Sequence, residues 1–387
     1  MIDHIAAALR DPPDPYDGHI VDDLLRASLF AREAGFAVFY SYLARAKHDD
    51  PELRELAANY LGQAIDRIDA IATGRPQFAF GFSGTAWALQ HLGSELDQDD
   101  DDAPLIGLDT ALTELVAASP ADAPFMLNTG FVGYGVYALE RMPRASARRC
   151  LEAVCDKLVA AAEPECEAVR WRIRGSWMVG PTEPTDDYHT GIRSGATGPI
   201  AVLAAAAAWG VGGERARAMV ARGTAWLSAQ QPVAAAGYAH GAAATAAAIL
   251  AGTSDSATTA RALAIGLAAA ERTDTAVACP SLEAGTAGNA LAFMRLHHAT
   301  GDPRFRDAAA HWLDALLAAY DPTIPLGGYR FHVPAWESRY LAEIPTGDRE
   351  LPGISFGVAG IALTLLAAIT AHTPNWDRMF LLSRAPT

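Results

Sequence analysis

Two kinds of helical segment alternate along the chain, and they differ in where their polar residues fall. In one kind, apolar residues recur at helical spacing on one face and charged residues occupy the other, as in 51–72, 146–162, 213–229, 257–272 and 303–320. In the other kind, runs such as TAWALQHL and PIAVLAAAA are apolar on every side. A helix with one apolar stripe covers a core, whereas a helix that is apolar all round is buried. The pattern therefore predicts two concentric helical layers, with the apolar helices inside.

A short glycine turn opens each apolar segment. Most copies place two glycines three residues apart, a spacing that lets the backbone turn tightly and approach a neighbouring element. The seven copies occupy residues 32–35, 81–84, 130–133, 195–198, 241–244, 285–288 and 357–360. The first has Arg32 in place of its leading glycine, and the fifth has Ala244 in place of its trailing one. Repeats of this length suit two helices with their connections. The sequence thus predicts one all-α domain over 1–387, with the turns at one mouth of seven inner helices.

Composition narrows the functional classes. The net charge of -15 argues against a nucleic-acid or anionic-membrane partner, because both need a basic surface. The first residues, MIDHIAAALRDPPDPYDG, carry early aspartates and prolines and lack the apolar core of a signal peptide. Cys150, Cys155, Cys166 and Cys279 show no disulfide framework. We expect a soluble cytoplasmic protein with no membrane partner.

Three connections stand out between the helical segments. The aspartate run at 97–102 is interpreted as a solvated loop. The connections at 166–190 and 321–352 are long for a compact repeat, which favours lids or binding loops, with plain insertions as the alternative. Residues 171–174 show a strand-like alternation.

The repeated turns and their flanks carry a family resemblance. The stretches FGFSGTAWALQHL, TGIRSGATGPIAVLA, LEAGTAGNALAF and GISFGVAGIALTLLA resemble the lanthionine synthetase C-like (LanC-like) cyclases, and the resemblance covers nearly the whole chain. It implies a double-layered α,α-toroid. It also implies thioether formation in a dehydrated precursor peptide, with a kinase and a lyase as further partners.

The residues that bind zinc in that family are replaced here. Its fifth and sixth turns read approximately W-C-Y-G and C-H-G-x-A-G-N, and this chain has Ala239, Glu283 and Ala284 at the ligand positions. The family's fourth-turn histidine is Ser194, and its third-turn aspartate is Met126. Zinc needs N or S donors, which alanine cannot supply. The chain therefore resembles the zinc-free cyclases of class III and class V lanthipeptide systems, and we expect no metal and no cofactor.

Addition of a cysteine thiolate to dehydroalanine or dehydrobutyrine requires a base or a positive field for the thiolate, and a donor and an acid for the enolate. The candidate catalytic residues are His240, Arg193, Glu283, His189 and Tyr188. His240 is expected to act as a base near neutral pH, or else to hydrogen-bond at a helix end. Arg193 stabilises thiolate or enolate, or pairs with Asp186 or Asp187. Glu283 is expected to orient His240 or to act as an acid, and the alternative is a substitution without a role that followed the loss of zinc. Tyr188 is expected either to belong to a lid or to pack against neighbouring residues.

Further residues near the turns or in the long connections are expected to bind substrate. They are Tyr238, Ser194, Asn128, Asp187, Arg330, His332 and Ser355. The alternatives are packing for Tyr238, capping of the turns for Asn128 and Ser355, and exposure to solvent for Arg330 and His332. Two other functions stay open. One is a non-catalytic toroid that binds a peptide for a kinase or lyase. The other is a glycan-processing toroid, which needs paired carboxylates, and the inner turns offer only Glu283 and Glu33.

Overall fold

The computed structural model describes residues 1–13, 22–70, 75–93, 96, 102–173, 188–230, 236–272, 279–333 and 347–384. The helices in these ranges are α1 (Ile2–Ala8), α2 (Asp22–Ala27), α3 (Glu33–Ala46), α4 (Pro51–Ala70), α5 (Phe82–Leu92), α6 (Ala103–Ala118), α7 (Phe131–Glu140), α8 (Ala145–Ala160), α9 (Thr197–Ala208), α10 (Gly213–Ser228), α11 (Gly237–His240), α12 (Ala242–Gly252), α13 (Ser256–Ala270), α14 (Thr286–Thr300), α15 (Pro303–Ala318) and α16 (Val358–Ile369), followed by a 3-10 helix (Asn375–Phe380). Two antiparallel hairpins pair β1 (Ala162–Glu165) with β2 (Ala168–Trp171) and β3 (Phe331–Val333) with β4 (Gly347–Arg349).

The apolar helices form a closed inner layer. In order around the layer they are α3, α5, α7, α9, α12, α14 and α16, each contacts the next, and α16 returns to α3. The helices α4, α6, α8, α10, α13 and α15 cover them from outside, and α1 covers α16. The residues of α7 are all buried, as its apolar sequence predicts. The predicted all-α, double-layered α,α-toroid is confirmed.

Backbone hydrogen bonds join the seven turns into a ring at one end of the inner layer. In every copy, the residue two positions before the first turn residue takes part in these hydrogen bonds. We call the set of these residues the mouth ring, which consists of Phe30, Ala79, Asn128, Arg193, Ala239, Glu283 and Ser355. The N–H of Phe30 donates to Ala79 (3.2 Å), Ala79 to Asn128 (3.1 Å), Leu127 to Arg193 (2.8 Å), Arg193 to Ala239 (3.3 Å), Ala239 to Glu283 (3.0 Å), Glu283 to Ser355 (3.0 Å) and Ser355 to Phe30 (3.3 Å). One residue of every turn therefore stands on a single rim.

The trailing turn glycines are required by close backbone approach. A Cβ at Gly84 would lie 1.9 Å from the carbonyl oxygen of Phe78, and one at Gly360 would lie 1.9 Å from that of Ile354. Backbone cannot yield at such distances, so the turn reverses only with glycine at these positions.

The outer layer matches the predicted amphipathic segments within two residues at most ends, with one addition. Helix α6 is the addition, and it lacks the amphipathic pattern because its outward face is apolar, with Ile106 44% and Leu115 38% exposed. In the run at 97–102, which is interpreted as a solvated loop, Asp102 is a partly exposed residue just before α6, and it binds Arg141 (2.5 Å) and Arg144 (2.6 Å). Residues 97–101 lie outside the described ranges.

The two long connections contain hairpins beside their undescribed parts. The strand expected at 171–174 lies at Ala168–Trp171, paired with Ala162–Glu165. Residues 174–187 and 334–346 are outside the described ranges. Every helix in the described ranges is too short or too polar to cross a membrane.

Candidate functional site

A buried ion pair crosses the mouth ring from turn four to turn six. Arg193 Nη1 donates to Glu283 Oε1, and the two side chains are 8% and 1% exposed. Ala239 stands between them in the ring, and its short side chain leaves this space to the guanidinium. The sequence pointed to Asp186 or Asp187 as the ion-pair partner of Arg193, and both lie outside the described residues. Within the described residues Arg193 pairs with Glu283, which is 90 residues away in the chain.

His240 lies against the other side of the same guanidinium. Arg193 Nη2 lies 3.1 Å from His240 Nε2, and because a guanidinium has no acceptor, Nε2 accepts and the ring proton sits on Nδ1. Burial, together with the charges of Arg193 and His189, lowers the pKa of His240 to about 3. The imidazole is therefore neutral near pH 7. The expected base near neutral pH does not fit this environment, since its acceptor nitrogen faces a permanent cation.

Glu283 is held from its second oxygen as well. Ser355 Oγ donates to Glu283 Oε2, and the Tyr238 hydroxyl is 3.2 Å from Ser355 Oγ. The Tyr238 ring stacks on Phe380 with centroids 4.1 Å apart. The carboxylate thus orients Arg193 rather than His240, and a chain of contacts fixes it from turns five and seven.

His189 and Ser194 complete the group at turn four. His189 is exposed, and its ring meets that of His240 edge-on at 6.4 Å. Its Nδ1 is 3.5 Å from Ser194 Oγ, a long contact. His189 is therefore an imidazole that is open to solvent beside turn four.

Tyr188 is held by the first hairpin instead of the mouth ring. Its hydroxyl donates to Glu163 (2.7 Å), and the Arg170 guanidinium lies 3.7 Å from the ring centroid. Partial burial and the hydrogen bond to Glu163 raise the pKa of Tyr188, which makes it a weaker acid. These contacts match the packing alternative that the sequence left open.

Two of the expected substrate-binding residues, Arg330 and His332, lie apart from this group. Arg330 is exposed, 4.0 Å from Glu350, and His332 Nδ1 is 3.0 Å from Asp348 in its own hairpin. Asp187 lies outside the described residues. Asn128 does stand in the mouth ring, next to Arg193.

No sequence pattern predicts the segment that lies beneath the mouth ring. Arg378 donates to Glu140 of α7 (3.0 Å), whereas Arg295 of α14 binds Asp377 and the carbonyl of Pro374 (2.8 Å). Because α7 and α14 lie across the inner layer from each other, the 3-10 helix occupies its centre. The Phe380 ring then packs against the Tyr238 ring. No spacing or motif in the sequence predicts that an aromatic residue near the C-terminus takes this central position.

The donor set at the family's zinc positions does not fit zinc. Ala239 and Ala284 have no donor, and both oxygens of Glu283 bind Arg193 and Ser355. A guanidinium beside the carboxylate would also repel a divalent cation. Across the part of the chain that is described, no group of three His, Cys, Asp or Glu residues is placed to hold a metal.

The paired carboxylates of a glycan-processing toroid are not formed by the two acids named from the sequence. Glu33 is buried, and both of its oxygens lie 2.9 Å from Arg67 Nε on the outer helix α4. Glu283, at turn six, is bound by Arg193 of turn four and Ser355 of turn seven. Each acid is neutralised by a different arginine in a different part of the fold.

The fold and the site define a class: a helical toroid whose polar groups gather where seven glycine turns meet. Residues 27–233 match the family model for lanthionine synthetase C-like proteins, which covers more than half of the chain. The chain belongs to the LanC-like family. The solved structure of nisin cyclase is similar, with a TM-score of 0.70 and 10% sequence identity over 98% of this chain and 95% of that chain. At that identity the likeness concerns the fold. None of the curated proteins matches this chain.

Proposed function

We propose that this protein is a zinc-independent lanthipeptide cyclase. It adds cysteine thiols to dehydroalanine or dehydrobutyrine and so closes (methyl)lanthionine-type thioether rings in a precursor peptide. Family membership supports the reaction class. The observation that carries the zinc-free form is the buried guanidinium of Arg193, which crosses the mouth ring over Ala239, at the positions where the family's zinc ligands stand.

Arg193 supplies the positive field that zinc supplies elsewhere in the family. A guanidinium stays charged at every working pH, so it favours the thiolate over the thiol and attracts the developing enolate oxygen. Glu283 and Ser355 hold its position. His240 accepts one of its N–H groups while neutral, so it orients the cation without adding a second charge or taking the thiol proton.

His189 is assigned the proton transfers. In the addition, the thiol loses its proton, the sulfur pair forms the C–S bond at Cβ, and the alkene pair moves to the amide oxygen as an enolate. Protonation at Cα completes the step. An exposed imidazole at the rim can take the first proton and return it to Cα, which is the exchange histidine performs near neutral pH.

The test uses a synthetic peptide with one dehydroalanine and one cysteine. Ring closure is counted as loss of alkylatable thiol by mass spectrometry. We expect Arg193→Gln to close rings roughly a hundredfold or more slowly, because one stabilising donor at the developing charge contributes about that factor. The matched control is Arg304→Gln, since Arg304 is 63% exposed and pairs only with surface Asp302 in its described contacts.

Two results would count against the proposal in different ways. If Arg193→Gln closes rings at the parent rate, the role of the guanidinium is wrong. If the parent binds the peptide and closes no ring, the protein is the non-catalytic peptide-binding partner of a kinase or lyase.

A further inference from the structure

Three polar side chains at turns two and three are buried without hydrogen-bond partners. Gln77 is 8%, Asn128 9% and Thr129 7% exposed, and Gln77 Oε1, Asn128 Oδ1 and Thr129 Oγ1 have no partner in the described structure. We call these three residues the unpaired arc. Buried polar groups are nearly always paired in native proteins, so three neighbouring exceptions need an explanation.

The unpaired arc adjoins turn four, which carries Arg193, through the backbone of the mouth ring. The N–H of Leu127 donates to the carbonyl of Arg193 (2.8 Å), so Asn128 follows a residue bonded directly to turn four. Asn128 also holds the mouth-ring position that Arg193 holds in the next turn. Gln77 lies two residues before Ala79, whose N–H bonds the carbonyl of Asn128 (3.1 Å).

The other side of the mouth ring shows what is unusual here. At turns four, six and seven, equivalent positions carry Arg193, Glu283 and Ser355, and these side chains satisfy one another. At turn three the equivalent side chain is a neutral carboxamide with no protein partner. Leaving such a group buried costs free energy unless a ligand or water completes it.

A carboxamide has the same donor and acceptor groups as the peptide bond, and a hydroxyl can act as either. Because these three groups are uncharged, they do not favour a ligand of one charge or a ligand with one particular side chain. They match the main-chain N–H and C=O groups of an extended peptide. The absence of any charged group among these three side chains argues against an anionic ligand and suits the neutral main chain of a peptide.

We propose that the unpaired arc is a backbone-binding subsite, in which Asn128, Thr129 and Gln77 hydrogen-bond the main chain of the peptide segment next to the reacting cysteine. This inference rests on the proposed function, because it places that cysteine beside Arg193. If the protein recognises main chain instead of side chains, it can hold peptides of different sequence at the same mouth. Which ring closes would then depend on the spacing of the reacting residues along the peptide.

The test measures peptide binding separately from ring closure. The probe is a blocked synthetic peptide with one dehydroalanine and with serine in place of cysteine, so that it cannot close. A second probe has the same sequence with N-methylated backbone amides. The variants are Thr129→Val, Asn128→Leu and Gln77→Met. The control is Thr364→Val, since Thr364 is fully buried and donates to the carbonyl of Gly360 (3.0 Å).

We expect Thr129→Val to weaken probe binding about fivefold to tenfold, the loss of about one hydrogen bond. Its melting temperature should stay equal to or rise above that of the parent, because an unsatisfied hydroxyl is removed. Thr364→Val should bind the probe like the parent and melt lower. The N-methylated probe should bind the parent weakly and should not distinguish the variants.

The inference is overturned if Thr129→Val and Gln77→Met bind the probe like the parent, or if the parent prefers neither probe. It is also overturned if Thr129→Val loses as much stability as Thr364→Val, because the Thr129 hydroxyl would then already be hydrogen-bonded to ordered water in the parent. These variants keep the test decisive even if Asn128→Leu fails to fold. A parent that binds the probe through the arc but never closes a cysteine peptide would refute the cyclase and leave the subsite standing.

Discussion

Two clusters of arginine, glutamate and histidine lie at opposite ends of the inner layer, and they differ in which group stands in the middle. In the far cluster, Glu140 Oε1 accepts from His91 Nδ1 (2.8 Å) and from Arg378 Nη1 (3.0 Å). The Tyr42 hydroxyl is 3.0 Å from His91 Nε2, and the Trp87 ring stacks on the imidazole at 4.5 Å. This cluster ties the ends of α3, α5 and α7 to the C-terminal segment.

In the mouth cluster the guanidinium is the middle group. Arg193 contacts the carboxylate of Glu283 on one side and the imidazole of His240 on the other. The cation therefore meets a neutral ring with a pKa of about 3, whereas at the far end the imidazole meets a carboxylate. The same three residue types place a buried carboxylate in the middle at one end and a buried cation in the middle at the other.

The largest expected effect comes from removing either carboxylate charge. Glu140→Gln and Glu283→Gln should each lower the free energy of unfolding by about 3–5 kcal/mol, because each leaves an arginine uncompensated in a buried site. Urea unfolding measures this loss. Ring closure per folded molecule should fall only for Glu283→Gln. Equal slowing by Glu140→Gln would show that the far cluster also serves the reaction.

The next effect is a pH dependence specific to the mouth cluster. The pKa of His240 is lowered from 6.5 to about 3, so between these pH values the imidazole is protonated in the unfolded chain and neutral in the folded chain. Its contribution to stability is complete above pH 6.5 and is lost as the pH falls toward 3. Between pH 7 and pH 4, His240→Gln should lose less stability than the parent, by on the order of 2 kcal/mol.

Urea unfolding at both pH values compares the two proteins. Parallel losses in parent and His240→Gln would mean that the imidazole is not held neutral by its surroundings.

The smallest effects concern the two tyrosines that border the clusters. Tyr42→Phe and Tyr238→Phe each remove one hydroxyl contact and should cost about 1 kcal/mol. Tyr238→Phe should also slow ring closure a few-fold, because its hydroxyl supports Ser355 and so Glu283. The thiol-counting assay with both variants decides this. If Tyr42→Phe slows closure equally, the distinction between the clusters fails.

The far cluster also shows why part of the site escaped the sequence. Arg378 and Phe380 are two residues apart in the 3-10 helix, yet one binds α7 and the other lies under Tyr238. The segment has no repeat and no motif. Its place in the centre of the toroid follows from contacts with inner helices that are distant in the chain, which no local pattern records.

The sequence by itself determined the layers, the seven turns and the loss of zinc donors at Ala239 and Ala284. These follow from neighbouring residues: helical periodicity, the space left by a glycine hydrogen and the donor atoms of single side chains. Only the tertiary structure decided that Arg193 pairs with Glu283, that His240 is neutral and that Asn128 is left without a partner. Those properties depend on distances and burial set when turns far apart in the chain close into one ring.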